Sequence, residues 1–370
     1  MKLGDIHSIE VLLYHRESSQ QVTTKAEGAG VNAPYRASVV IPTYQRCAIV
    51  EGALRSLASQ TIPVHEFEVV VSIDGSDDGT RELVDRLRVP YSLRSTWQPN
   101  RGRAAACNTG IRAAKGEVLV LLDDDMEPVP EFLEAHLQAH PAGDRLGVMG
   151  AVPIAVPACA PPVVRYIGTK FNRHLDKLAH PGHQLVLRDF YSGNFSIRRD
   201  ILLEVGGFDE AFTAYGNEDL DLSLRLSGAA VDLIYSRQAQ AYQRYTKDFA
   251  GLCRDTYAKG QTAVLLATKH PDSFADLKLS TYGDAHWSWR FLRGELLRLS
   301  DWWDGAPDLI MGLADRLVRL WPDRLDTWYG LALDYFYWLG ARSTLSPDMP
   351  LAACASPLPR STRTRHWFSP

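Results

Sequence analysis

Short apolar segments and amphipathic segments alternate along residues 37–154. Four apolar segments have the length of a buried strand: 37–41, 67–73, 118–122 and 146–154. The segments between them carry apolar residues at helical spacing: 48–59, 79–88, 104–114 and 130–140. This alternation predicts βαβ units, so we expect an α/β fold built on a mostly parallel sheet.

The chain outside this region divides into further parts. Residues 1–35 are polar and irregular, and we expect them to form an N-terminal extension before a body at 36–245. Within the body, residues 156–188 have the pattern of a long irregular excursion, which is either a binding loop or a solvated insertion. Residues 246–342 show helical patterns, and the tail 343–370, rich in Pro, Ser and Arg, is expected to be disordered.

The predicted C-terminal helices are rich in aromatic residues. Seven of the nine tryptophans lie between Trp287 and Trp338. Aromatic residues packed over helices usually belong to a core or to an oligomer interface, here a homodimer through the C-terminal helices. Peripheral membrane contact is a weaker interpretation, because it usually requires a basic polar face.

The composition is that of an ordinary globular protein. The 370 residues are 45% hydrophobic and 23% charged, and the formal net charge of −4 does not indicate a nucleic-acid partner. Five scattered cysteines without a CxxC pair favour a reducing compartment over a disulfide scaffold or a zinc site. We see neither a signal peptide nor an apolar stretch of about 18 residues, so we expect a cytoplasmic protein without a spanning segment.

Three consecutive carboxylates, Asp123, Asp124 and Asp125, follow directly on the apolar segment 118–122. Ligands of open α/β sheets bind beyond the carboxyl ends of the strands, and three like charges there need a counter-charge. A divalent cation that also binds substrate phosphates would supply it. The alternative is a solvated acidic turn that caps the following helix, and the triplet alone leaves both open.

Polar residues follow the other predicted strands as well. The segments IPTYQR at 41–46 and DGSDDGT at 74–80 place small, polar and aromatic groups at the same edge of the sheet. Small residues let backbone approach a ligand, and helix N-termini at such an edge favour phosphate. Taken alone, the second segment is better explained as a plain turn with a helix N-cap.

A second acidic cluster lies in a helix predicted to begin near Asn217. Glu218 and Asp219 fall in its first turn, where the helix dipole favours negative charge, and this alone would explain them. Asp221 and Arg225 are spaced i, i+4, and we expect them to form a surface pair without a catalytic role.

Five segments in this order resemble the family 2 glycosyltransferases of the GT-A fold. They are VVIPTYQR, SIDGSDDGT, NRGRAAACNTGIRAAKGEVLVLLDDDME, YSGNFSIRRDILLEVGGFDE and GNEDLDLSLRL, which together extend from residue 37 to about residue 235. Each motif is weak alone, whereas the ordered set is specific. The resemblance implies a doubly wound, mixed but mostly parallel sheet. Its nucleotide-binding half would lie at about 36–126 and its acceptor half at about 127–245, followed by a helical C-terminal extension.

The resemblance also implies roles for individual residues. Asp123 and Asp125 match the fixed positions of the DxD motif and would hold a diphosphate through Mn²⁺ or Mg²⁺. Asp219 matches the general base, and Glu218 would bind sugar or acceptor hydroxyls. The acceptor side would be shaped by Gly207, Phe208 and Asp209. The donor nucleotide would be contacted by Pro42, Thr43, Tyr44, Arg46, Asp74, Arg101, Asn108, Asp123 and Asp124.

Three positions depart from the family pattern. Cys107 stands where the family often has Arg, so a diphosphate contact is lost or comes from Arg101 or Arg103. Ile73 stands where the family often has a first of two carboxylates, which leaves base recognition to Asp74. Gln243 stands where a His is often a further metal or phosphate ligand, so either the metal is held weakly or Arg244 and Lys247 neutralise the phosphates.

The resemblance thus implies an inverting, metal-assisted glycosyltransferase that uses a nucleotide-diphosphate sugar, with UDP as the expected nucleotide. A positioned carboxylate would deprotonate the acceptor hydroxyl, and a cation would stabilise the leaving diphosphate. The acceptor class stays open among a glycan, a lipid-linked acceptor, a small molecule and a peptide. Two alternatives remain: a non-catalytic sugar- or nucleotide-binding module of the same fold, and a nucleotidyltransferase.

Overall fold

The computed structural model describes residues 33–141 and 143–345. The predicted N-terminal extension and the predicted disordered tail therefore lie almost wholly outside the described residues. The strands in this part of the chain are β1 Tyr35–Thr43, β2 Phe67–Asp74, β3 Ser92–Gln98, β4 Gly116–Leu122, β5 Met126–Pro128, β6 Leu146–Gly150, β7 Asn194–Arg198, β8 Asp232–Ser236 and β9 Ala241–Gln243. The α-helices are α1 Cys47–Ser56, α2 Thr80–Arg86, α3 Arg103–Ala113, α4 Phe132–Gln138, α5 Pro162–Leu178, α6 Arg199–Glu204, α7 Glu218–Gly228, α8 Phe249–Lys269, α9 Trp287–Trp302, α10 Ala306–Leu320 and α11 Leu325–Thr344.

Seven strands form the central sheet in the order β3-β2-β1-β4-β7-β6-β8. Strand β7 runs antiparallel to both of its neighbours, and the other strand pairs of this sheet are parallel. The chain winds outward from β1 to β3 and then returns through α3 to β4 on the other side of β1. The carboxyl ends of β1 and β4 thus lie side by side at the point where the strand order reverses, which is where open sheets bind ligands.

The near-continuous apolar character of β1 follows from burial on both faces of the sheet. Val39 and Ile41 pack in one hydrophobic cluster with Val50 of α1. Val40, between them, packs in a second cluster with Ile111 of α3. Because side chains alternate along a strand, helices on both faces are needed to cover β1. The predicted α/β fold with a mostly parallel sheet is confirmed.

Residues 156–188, expected to be an irregular excursion, contain helix α5. The expectation of an irregular segment was wrong because Pro162 begins the helix at a position where its fixed φ suits helical geometry. Val163 and Tyr166, near the start of the helix, pack in the hydrophobic cluster of the C-terminal helices, whereas Leu175 and Leu178, near its end, pack in the cluster that also contains Val39 and Ile41 of β1. The exposed basic side chains of Lys170, Arg173 and Lys177 lie on the outer surface of the helix.

The region after residue 246 is helical as predicted, and α8, α9, α10 and α11 share a third hydrophobic cluster. Helices α8 and α11 approach so closely that a Cβ atom on Gly260 would lie 2.0 Å from the carbonyl oxygen of Tyr337. Phe249 and Tyr329 stack with their ring centroids 3.8 Å apart. No helix among residues 33–345 is long and apolar enough to cross a membrane.

Helix α7 begins at Glu218, with Asn217 as its N-cap residue, as the sequence indicated. The predicted pair between Asp221 and Arg225 forms, with Nε of Arg225 2.9 Å from Oδ2 of Asp221. Its placement at the surface was wrong, because Asp221 is only 1% exposed. Asp221 turns inward to accept a hydrogen bond from His270, which follows α8. The pair therefore helps to attach α7 to the C-terminal helices.

Candidate functional site

Two cavities meet beyond the carboxyl ends of β1 and β4. The first, about 550 Å³, is lined by Pro42, Thr43, Tyr44, Arg46, Asp74 and all three residues of the acidic triplet. The second, about 480 Å³, is lined by Glu218 and Asp219. Arg103 and Asp123 line both cavities. The fold thus brings the two acidic clusters of the sequence, which are almost 100 residues apart, to a common boundary.

Residues at the end of β1 and shortly after it bind the carboxylates of the acidic triplet. Oγ1 of Thr43 donates a hydrogen bond to Oδ2 of Asp124 at 2.7 Å. The guanidinium of Arg46 spans two carboxylates, with Nη1 2.9 Å from Oδ1 of Asp124 and Nη2 3.1 Å from Oδ2 of Asp125. Burial raises the pKa of Asp124 to about 7 against the opposing charge of Arg46. Burial and the neighbouring Asp123 likewise raise the pKa of Asp125. Arg46 therefore partly neutralises a site whose remaining negative charge suits a further cation.

Asp123 reaches its position because residue 193 has no side chain. The backbone N–H of Asp123 donates to the carbonyl oxygen of Gly193 at 2.9 Å. A Cβ atom at residue 193 would lie 2.4 Å from Oδ2 of Asp123. The segment YSGNFS, recognised by resemblance, thus provides the close approach that lets Asp123 face both cavities.

Arg103 occupies the boundary between the cavities. Its Nη2 lies 2.7 Å from Oδ1 of Asp123, and its Nη1 lies 3.3 Å from Oδ1 of Asp219 and 3.4 Å from Oε1 of Glu218. Its Cζ atom also lies 5.8 Å from the ring centroid of Phe208. One guanidinium is therefore in contact with the acidic groups of both cavities.

The two carboxylates at the start of α7 differ in environment. Glu218 is 2% exposed, and its Oε2 atom is buried without a hydrogen-bond partner among the described residues. Burial, followed by the charge of Asp219, raises the pKa of Glu218 to about 7. The side chain of Asp219 is 27% exposed, and Ser192 and Arg103 both donate to its Oδ1 atom. Asp219 is thus the more accessible carboxylate at the wall of the second cavity.

Residues of helix α8 hold the start of α7 in place. The side-chain amide of Asn217 donates to the carbonyl oxygen of Lys259 at 2.9 Å and to Oγ1 of Thr262 at 2.8 Å. Lys259 also lines both cavities. Helix α8 is therefore part of the site, a role that the sequence patterns did not indicate.

Asp74 lines the first cavity, and its oxygens are largely engaged by the turn before α3. Oδ1 accepts hydrogen bonds from Nε2 of Gln98 at 2.7 Å and from the backbone N–H of Arg101 at 2.9 Å. Oδ2 accepts from the backbone N–H of Gly102 at 2.8 Å. Asp74 thus fixes the turn that presents Arg103, and its contact with a base stays a prediction.

Several residues expected at the site lie behind it, outside the lining of both cavities. Asn108 uses its amide to bind the backbone N–H and carbonyl of Phe208, each at 2.8 Å. The guanidinium of Arg101 points to Glu210, with Nη2 2.7 Å from Oε2. Asp209 pairs with Nζ of Lys269 at 2.5 Å. These groups, together with Gly207, support the cavity walls, and Arg103 rather than Arg101 faces the carboxylates.

The acidic triplet offers only part of a ligand set for a divalent cation. Oδ1 of Asp125 is buried without a hydrogen-bond partner among the described residues, so it has a lone pair available for a ligand. Gln243 lies next to it, with Nε2 3.5 Å from Oδ2 of Asp125. Within residues 33–345 no group of three or more His, Cys, Asp or Glu side chains could hold a metal. A cation at Asp123 and Asp125 would therefore need further ligands, and phosphate oxygens and water are the usual ones.

Two lysines of the first cavity lie near the ring of Tyr215. Nζ of Lys247 is 4.7 Å and Nζ of Lys259 is 5.2 Å from the ring centroid. Lys247 is paired with Asp255 of α8. Lys247 was expected as a possible phosphate contact, whereas Lys259 belongs to no motif and is brought to the site by the contact of α8 with the start of α7.

This sheet, with its acidic triplet at the switch point and a second carboxylate pair facing it, defines a GT-A-type protein. Among solved structures, a mannosyltransferase from Pyrobaculum calidifontis in complex with GDP-Man and Mn²⁺ shares the fold. It is 20% identical, with a TM-score of 0.51 over 83% of this chain and 86% of that one.

Sequence comparison agrees with this class. The model for "Glycosyl transferase family 2" matches residues 38–206, and that for "Glycosyltransferase like family 2" matches residues 183–264. The chain belongs to the family 2 glycosyltransferases, and the resemblance stated from the sequence motifs is confirmed.

Two curated relatives illustrate the range of the family. Validoxylamine A glucosyltransferase of Streptomyces hygroscopicus subsp. jinggangensis (strain 5008) is 33% identical in an alignment of 231 positions that covers 55% of this chain and 54% of that protein. Chondroitin synthase of Escherichia coli is 25% identical in an alignment of 278 positions that covers 63% of this chain and 38% of that protein. The chain spans about half the length of the first curated relatives it matches.

Proposed function

We propose that this chain transfers a sugar from a nucleotide-diphosphate donor to an acceptor hydroxyl, in one displacement that inverts the anomeric carbon. The observation that supports it most is the boundary shared by the two cavities. One side carries the acidic triplet and the other carries Asp219, with Arg103 and Asp123 between them. A donor in the first cavity would thus present its sugar towards a carboxylate in the second.

The donor side suits a nucleoside diphosphate. Pro42, Thr43 and Tyr44 line the first cavity with Asp74, and the exposed ring of Tyr44 can stack on a base. Arg46, Lys247 and Lys259 bring positive charge to the same cavity. A divalent cation bound by Asp123 and Asp125 would stabilise the charge of the leaving diphosphate. We propose UDP as the nucleotide, as the resemblance implies, with Mn²⁺ or Mg²⁺ as the cation.

The acceptor side suits general-base catalysis. Oδ1 of Asp219 is held by Ser192 and Arg103, which orients the carboxylate. Asp219 would remove the proton of the acceptor hydroxyl as its oxygen bonds to the anomeric carbon. The bond from that carbon to the diphosphate oxygen breaks on the opposite face, and the nucleoside diphosphate leaves with the bonding electrons. The unpartnered Oε2 of Glu218 would hold a hydroxyl of the sugar or of the acceptor.

The proposal separates donor binding from turnover, so two substitutions test it. For Asp219→Asn, we expect UDP-glucose turnover to fall about 1,000-fold while UDP affinity stays unchanged, because the base acts only in the chemical step. For Asp125→Asn, we expect the Mn²⁺-dependent part of UDP binding to disappear. Thermal-shift titrations with UDP, GDP, CDP and dTDP, each with and without Mn²⁺, would measure binding.

Asp232→Asn is the matched control, because Asp232 is an exposed carboxylate at the start of β8, outside the lining of both cavities. Nucleotide binding without turnover of any sugar donor by the wild type would instead favour the non-catalytic binding module. A shift that ignores Mn²⁺ would show that the basic side chains alone hold the diphosphate.

A further inference from the structure

We propose that Arg103 serves both cavities at once: it binds a phosphate oxygen of the donor and it positions the Asp219 carboxylate. The inference rests on the proposed function, because it assigns a role within the same site. Its effect would be to couple occupation of the donor cavity to the geometry of the base.

The contacts of Arg103 support this double role. Nη2 faces Asp123 of the first cavity at 2.7 Å, whereas Nη1 faces Asp219 of the second at 3.3 Å. Nη1 also lies 3.1 Å from Oγ of Ser192, which itself donates to Asp219. A guanidinium presents five N–H groups in a rigid plane, so one side chain can bind groups of two sites and hold them in a fixed relative position.

The charge of the cluster supports the same assignment. Three carboxylates, on Asp123, Glu218 and Asp219, lie within 3.4 Å of this one guanidinium. Like charges at such distances repel and shift towards protonation unless a cation neutralises them. Arg103 therefore keeps the carboxylates close to one another, and a phosphate that enters beside it meets a positive group already held in place.

Cys107 provides a specific test, because it lies one helical turn after Arg103 in α3. Residues spaced i, i+4 share a helix face, so side chains at 103 and 107 approach the same region. Cys107 is fully buried, and burial raises the pKa of its thiol to about 12. Cys107 packs in the same hydrophobic cluster as Phe208, whose ring centroid lies 5.8 Å from Cζ of Arg103, so residue 107 lies behind the same group of carboxylates. An arginine at residue 107 could thus present its guanidinium to the carboxylates from an adjacent position.

The experiment compares Arg103→Ala, Arg103→Lys and the double variant Arg103→Ala/Cys107→Arg with the wild type. Arg112→Ala is the matched control, since Arg112 lies on the same helix with a side chain that is 58% exposed. UDP affinity in Mn²⁺ and steady-state turnover of UDP-glucose are measured for each protein, together with its thermal midpoint.

For Arg103→Ala we expect UDP affinity to fall about tenfold or more and kcat to fall about 100-fold or more, while Arg112→Ala matches the wild type. Arg103→Lys should retain part of the affinity, because a point charge remains, but little of the turnover, because the planar fork is lost. The double variant should recover a measurable share of both quantities, which a merely structural role for Arg103 would not allow.

Each contrary outcome has a distinct meaning. Arg103→Ala with the UDP affinity of the wild type would overturn the inference, and so would tighter binding, which would show that Arg103 competes with the cation. If the double variant fails to fold, the comparison of Arg103→Ala with Arg112→Ala still decides. A wild-type protein that binds none of the four nucleoside diphosphates and turns over no sugar donor would overturn the proposed function itself, and the inference with it.

Discussion

Substitution of Gly193 by alanine should damage the site while leaving the fold intact. The added Cβ atom would lie 2.4 Å from Oδ2 of Asp123, whereas real Cβ contacts essentially never fall below 3.0 Å. The carboxylate must therefore move by about 0.6 Å or more, since it is the free end of a side chain that is 32% exposed. That displacement acts directly on the 2.7 Å contact between Asp123 and Arg103.

The expected loss of turnover follows from this displacement. A misplacement of about 1 Å at a reacting centre can lower the rate about 100-fold, so we expect a decrease of about 10- to 100-fold for Gly193→Ala. Stability should change little, within about 2 °C in the thermal midpoint, because a rotating carboxylate and not the backbone absorbs the clash. The assay is steady-state turnover of UDP-glucose, with Mn²⁺-dependent UDP binding measured in parallel.

Gly228→Ala is the matched control, because a Cβ atom at the end of α7 meets nothing within 4 Å. We expect its turnover to equal that of the wild type. If Gly193→Ala has the same turnover and Mn²⁺ dependence as the wild type, the reasoning that the exact position of Asp123 matters is refuted. A large drop in thermal midpoint would refute the part that assigns the movement to the carboxylate.

Two further predictions concern stability. His136 is buried between Asn194 and Ser196, and burial lowers its pKa to about 3. Below about pH 6.5 the unfolded state therefore binds more protons at this histidine than the folded state, so the free energy of unfolding falls as the pH decreases. Urea denaturation at pH 7.5 and pH 5 measures this fall, and in His136→Gln we expect it to be smaller by about 2 kcal/mol. An equal loss in both proteins would contradict this reasoning. Gly260→Ala should lower the unfolding free energy by about 3 kcal/mol, because the 2.0 Å clash falls on backbone of the facing helix. Gly312→Ala is the control: a Cβ atom there would have nothing within 4 Å, so the substitution should be neutral or stabilising by about 1 kcal/mol. Similar urea midpoints for Gly260→Ala and Gly312→Ala would show that α8 and α11 tolerate separation.

The central strands were predictable because a strand that is buried on both faces consists of a continuous run of apolar residues. Strands β1, β2 and β4 were found this way, with ends within about two residues of those in the structure. Strand β3 has the sequence SLRSTWQ, and most of its side chains are only partly buried, as befits the edge of the sheet. Strand β3 was missed because most of its residues are polar, and α5 was missed because basic side chains cover its outer surface.

The composition of the site was likewise only partly visible in the sequence. Three carboxylates directly after an apolar segment are unusual enough to be candidates for a cation site, although a solvated turn was an alternative, so Asp123, Asp124 and Asp125 could be selected in advance. Ordered motifs added Glu218 and Asp219 by resemblance. Asn108 and Arg101 line neither cavity, and their contact with the donor stays a prediction, because a motif records which residues occur together and not which way each side chain turns.

The sequence by itself determined the α/β class, the family and the two groups of carboxylates, since apolar patterning and motif order are properties of neighbouring residues. The tertiary structure alone decided that Arg103 lies between those groups, that Gly193 makes room for Asp123, and that α8 supplies Lys259 to both cavities. These are contacts between residues distant in the chain. Their distances depend on how helices pack across the sheet, and no local pattern encodes that packing.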